Sequence, residues 1–141
     1  MNVEELAPIA AELNRESDDL NTTITAINKQ LAALNVGVPV WFSYFEVEDP
    51  SLSEEEEDRR RPDYYLGFAK CGDYPNEVWQ LAYREWVVDQ DETYFRVKPL
   101  LTCTRNMRVE CLEVVDQIVK ALSVKAAAML KTIRSAKSLV K

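Results

Sequence analysis

A chain of 141 residues with 47% hydrophobic and 29% charged residues can bury a core without disulfide or metal staples and is too apolar to stay unfolded. Its net charge of −7 argues against general affinity for nucleic acid, which needs clustered cations against phosphates, and no apolar run nears the roughly 18 residues of a membrane span. The absence of histidine removes the commonest general base and every Ser-His or Cys-His nucleophile pair.

The opening residues Met1-Asn2-Val3-Glu4-Glu5 lack the basic and apolar regions of a secretory signal, so a cytoplasmic location is expected. Cys71, Cys103 and Cys111 form an odd set without a CxxC pair, which suits reduced thiols and leaves a four-ligand zinc site short of donors. No GxGxxG or Walker loop occurs, so neither a metal nor a cofactor is expected. Carboxylates at Glu12 and Glu16 and from Glu54 to Asp58 read as solvated faces rather than acid/base dyads. The chain is not expected to be an enzyme.

In chain order, the first predicted element is a long helix from Val3 to Leu34. Leu6, Leu13, Leu20, Ile27 and Leu34 repeat every seven residues, with Val3, Ala10, Ser17, Ile24 and Leu31 in the companion register, the seam of a coiled-coil-like helix. Asn2 and Glu5 can cap it. Pro8 implies a loose first turn or a regular start near Ala7. Gly37 and Pro39 supply a stop. Asn14, Asn21, Asn28 and Asn35 follow the same period beside the seam; this stripe is either a polar edge that contacts something or a solvated one.

Every aromatic residue falls between Trp41 and Phe95, an enrichment that predicts strands over Val40–Val47, Tyr64–Cys71, Val78–Val88 and Thr93–Lys98. Turns at Gly72–Asn76 and Asp89–Glu92 imply an antiparallel meander. The connection at 48–62, with its acidic run and Arg59-Arg60-Arg61, reads as a mobile loop. Leu112, Val115, Val119, Leu122, Ala126, Met129, Ile133, Ala136 and Val140 mark a second long helix starting between Leu101 and Arg105, with Thr102 or Thr104 as cap.

The fold class expected is therefore α+β in the order α-β-β-β-β-α, as one domain over 1–141. The first helix is acidic at its start and the second basic at its end, so the two are expected to pair antiparallel. Both should outreach the short sheet. Their seams at Leu13, Leu20, Ile24, Ile27, Leu31, Leu122, Met129 and Ile133 would then join two copies in a homodimer, or cover each other within one chain.

Two further surfaces stand out. Arg84, Arg96, Arg105 and Arg108 could gather an anion near the start of the second helix; alternatively Arg105 and Arg108 reach acids at Asp89–Glu92, Glu110 or Glu113. Strand alternation puts Phe42, Tyr44, Gln80, Arg84 and Trp86 on a sheet face rich in the residue types that anchor partners, unless a dimer or the helices bury it. The function these features imply is a non-catalytic module that dimerises through its helices and binds an unidentified protein, in the manner of adaptors, secretion chaperones or immunity proteins. That is an analogy of size and charge. The alternatives are an acidic inhibitor or decoy of a nucleic-acid-binding protein and a small anionic-ligand binder.

Overall fold

The computed structural model describes residues 2–43 and 64–140. Its elements are α1 (Val3–Ala33), β1 (Val40–Phe42), β2 (Tyr64–Cys71), β3 (Val78–Asp89), β4 (Glu92–Pro99), a 3-10 turn (Leu100–Thr102) and α2 (Arg105–Lys137). The strands form one antiparallel sheet in the order β1-β2-β3-β4; the short turns from β2 to β3 and from β3 to β4 require the antiparallel sense of those two pairs. The predicted strand positions beyond Ser43, Tyr44 among them, and the charged 48–62 connection lie outside the described residues.

The helix ends obey local chemistry. Asn2 Oδ1 accepts from the Glu5 amide at 2.9 Å while Glu5 Oε2 accepts from the Asn2 amide at 3.1 Å, a complete capping box. This box starts α1 at Val3, ahead of the start near Ala7 that Pro8 suggested; Pro8 sits inside the helix and withdraws one backbone donor there. The stop comes at Asn35, in the left-handed region at φ 52°, whose amide donates to Ala32 O at 3.1 Å. Asparagine tolerates that conformation better than most residues. Thr104 caps α2 by accepting from the Met107 amide at 3.3 Å.

One face of the sheet carries the main core. The register aligns Val40 with Phe68 and Phe68 with Leu81, so these side chains share a face beneath the helices. Leu20, Ile24 and Leu31 of α1 and Cys111, Val114, Ile118 and Leu122 of α2 are buried with them. α1 packs over β3, and α2 over β1 and β2. Each fully buried aliphatic side chain contributes about 1.5–3 kcal/mol.

The antiparallel helix pairing expected from charge does not occur within the chain. Arg105 at the start of α2 meets Asn14 and Ser17, Arg108 meets Asn21, and Lys125 Nζ donates to Pro39 O at 2.9 Å. These contacts ascend both helices in the same sense. The core decides the direction, because each helix must lay its buried stripe along the sheet, and that burial outweighs surface charge pairs worth about 0–1 kcal/mol.

Both helices outlast the core. The first buried residue of α1 is Leu20 and the last of α2 is Leu122. Val3–Asp19 and Ser123–Lys137 therefore extend past it by about 26 Å and about 22 Å at 1.5 Å per residue. Because α2 begins beside Asn14 and Lys125 lies level with Pro39, beyond the end of α1, the two overhangs point away from opposite ends of the subunit.

Candidate interaction surfaces

The sheet face away from the helices has its own small core. Gly67, Ala69 and Ala82 give it a floor without bulk, and Trp41 packs against Ala69, Cys71 and Ala82. A methyl group added at Gly67 would stand 2.0 Å from Val40 O and 2.8 Å from Trp41 Cε3, so glycine is what lets the indole approach. Beside it the Arg84 guanidinium carbon lies 4.6 Å from the Trp41 ring, 4.6 Å from Tyr65 and 4.3 Å from Phe95, within cation–π range of all three. Trp86 meets Phe95 edge to face at 4.5 Å and 65°. Among the described strand positions on this face Arg84 is the only charged residue. Its Nε is buried without a hydrogen-bond partner, and burial, opposed by nearby Tyr65, lowers its pKa.

Of the residues predicted for a partner-binding face, Gln80, Arg84 and Trp86 lie here. Phe42 does not: it pairs with Leu66 and packs against the main core on the helix side, while its neighbour Trp41, level with Gly67, takes the place beside Arg84. Gln80 is committed internally, donating from Nε2 to Cys71 O at 2.9 Å. The residues that sequence reasoning missed are Trp41, Tyr65 and Phe95. The alternation of Tyr65, Gly67 and Ala69 was the available signal, since small residues at every second position leave room for a ring from the next strand.

The four arginines do not form one site. Arg84 is on the face just described, and the other three are on the helix side. Arg96 is exposed and donates to Glu85 through Nε at 2.6 Å and through Nη2. Glu85 also accepts from the Tyr83 hydroxyl at 2.9 Å. The Arg96 bond first and the Tyr83 bond second hold the Glu85 carboxyl below its ordinary range. Burial and then the Glu85 bond push Tyr83 up to about 12. Arg105 donates to Asn14 Oδ1 at 2.8 Å and Ser17 Oγ at 3.2 Å, and Arg108 donates to Asn21 Oδ1.

Those contacts account for two cations at a helix N-terminus, where they oppose the dipole. Their partners are asparagines of α1 rather than the acids at Asp89–Glu92, Glu110 or Glu113. Asn28 completes the stripe by accepting from the Leu81 amide at 2.7 Å, and Asn35 ends the helix. The first three asparagines of the heptad form a contact edge. Tyr64 ties the sheet to α2 separately, donating to Glu110 Oε1 at 2.5 Å.

The predicted dimer seam divides in two. Leu20, Ile24, Leu31 and Leu122 are buried within the subunit and Ile27 packs against them. Leu13, Met129 and Ile133 are 47%, 37% and 52% exposed. Leu6 and Ile9 extend the exposed stripe on α1 and Leu130 on α2. An open shelf on α2, lined by Ala127, Leu130, Lys131, Arg134, Ser135 and Ser138, lies around the helix from Met129 and Ile133.

Reactive groups are held quiet. Burial pushes the Cys71 thiol up to about 11 and the Cys111 thiol up to about 12, and it raises Cys103 as well, so none is a ready thiolate. Among the described residues no group of three or more Cys, Asp or Glu is placed to hold a metal ion, and no helix is long and apolar enough to cross a membrane. No protein-family profile, curated protein or solved structure matches the chain.

Proposed function

We propose that the chain is a non-catalytic, cytoplasmic interaction module that assembles as a homodimer through its helix overhangs and keeps the Arg84 face of the sheet for a protein partner. One observation carries the reading. The apolar seam continues along both helices well past the last residue that the core covers, and monomers seldom leave a stripe of that length in water. The Arg84 face supports the second half: an arginine ringed by Trp41, Tyr65 and Phe95, with exposed Trp86 beside it, has the composition of binding hot spots.

The test is the mass in solution by multi-angle light scattering over a dilution series. The expected result is twice the chain mass, falling toward one chain on dilution. A mass of one chain throughout overturns the dimer.

A further inference from the structure

We infer that the second copy is held by mixed helix pairs: the acidic first half of α1 from one chain lies antiparallel against the basic last part of α2 from the other, twice about a twofold axis. The inference rests on the self-association proposed above and specifies which surfaces meet.

Charge selects the pairing. From Val3 to Asp19, α1 carries Glu4, Glu5, Glu12, Glu16, Asp18 and Asp19 against Arg15 alone. From Lys120 to Lys137, α2 carries Lys120, Lys125, Lys131, Arg134 and Lys137 with no acid. Pairing α1 with α1, or α2 with α2, would set like charges along the whole contact. Only the mixed pair puts opposite signs on both rims of an apolar seam, and such complementarity chooses partner and register more than it adds affinity.

Shape agrees with charge. The overhangs are matched, at about 26 Å and about 22 Å, and both present apolar residues at 3-4 spacing, Leu6, Ala10 and Leu13 on one and Ala126, Met129 and Ile133 on the other. One chain cannot satisfy itself, because its overhangs leave from opposite ends. A second copy turned by a twofold axis brings its α2 end to the first copy's α1 start, and the same operation closes the other pair. Antiparallel alignment also opposes the helix dipoles favourably.

The experiment uses full-length protein with one added cysteine at Leu6→Cys, Leu13→Cys, Met129→Cys or Ile133→Cys, all exposed positions, with folding checked by circular dichroism. Under mild oxidation, chains carrying an α1 cysteine and chains carrying an α2 cysteine are expected to form disulfide-linked dimers when mixed. Neither kind alone should do so. In parallel, Lys131→Glu/Arg134→Glu/Lys137→Glu is expected to raise the dimer dissociation constant at least tenfold at low salt. Mixing it with Glu4→Lys/Glu5→Lys/Glu12→Lys should restore assembly. Cross-links within an α1-only or α2-only sample, a dimer mass with no mixed cross-link in any of the four pairings, or an unchanged constant in the triple variant overturns the inference and leaves dimerisation standing. A wild-type mass of one chain overturns both.

Discussion

The inner and outer halves of the two helices follow the same heptad pattern and lead different lives. Around Ile24 and Ile118 the seam is sealed against the sheet; around Leu13 and Ile133 it faces solvent. Periodicity thus reports which residues seek burial but not what buries them. The sheet decides, because strands of three to twelve residues cover only the second half of α1 and the first half of α2, helices of 31 and 33 residues.

The sharpest way to break this contrast is to truncate one side chain on each half. Ile24→Ala empties a fully buried site and should cost about 2–5 kcal/mol in urea denaturation. Leu13→Ala should shift the unfolding of the isolated chain by no more than about 0.5 kcal/mol, and its loss should appear only where protein concentration matters. Equal losses at the two positions would erase the distinction.

The asparagine stripe offers a smaller version of the same comparison. Asn28→Ala strands the Leu81 amide in a half-buried setting and is expected to cost about 1–3 kcal/mol, whereas Asn14→Ala, at an exposed contact, should stay within about 0.5 kcal/mol. Differential scanning calorimetry of the two variants measures the gap. Alkylation followed by mass spectrometry reads it without truncation: in folded protein dilute enough to be single chains, at mildly alkaline pH, Cys71 and Cys111, pushed up to about 11 and about 12, should stay unmodified while a Leu13→Cys thiol reacts.

The smallest effect lies on the sheet. Glu85 has its pKa lowered by Arg96 and Tyr83, so its contribution to stability is fully present above the ordinary carboxylate pKa and is lost as pH falls through the lowered value. Glu85→Gln should flatten that acid limb in denaturation midpoints measured from neutral to acidic pH. A limb identical to wild type would show that the Arg96 contact is inert.

Much of the fold was legible because its signals are local. Tyr64–Cys71 could be bounded from composition and turn residues, and the Asp89–Glu92 hairpin fixed how β3 and β4 pair. The position of β1 was not legible to the same degree. No tight turn links it to β2, so nothing local sets which residue opposes which, and a shift of one residue exchanges the faces. That is why Phe42 was expected beside Arg84 and Trp41 stands there. The direction of the helices was missed for a related reason: charge patterning is visible in sequence, but the apolar stripe's fit to the sheet is a property of the assembled chain. The arginines at the start of α2 could be singled out as anomalous, yet their partners lie some ninety residues earlier, at Asn14, Ser17 and Asn21, beyond any local rule.

Asn28 has one more consequence. β4 pairs with β3 only as far as Ala82 opposite Pro99, and at the next residue the Leu81 amide is taken by Asn28. A bare amide at the rim of a sheet is a template on which a stray strand can grow. By filling that valence from a helix, the molecule closes the border of β3 where β4 stops, so loss of this one carboxamide should show first as faster hydrogen exchange at the Leu81 amide, before any change in helix content.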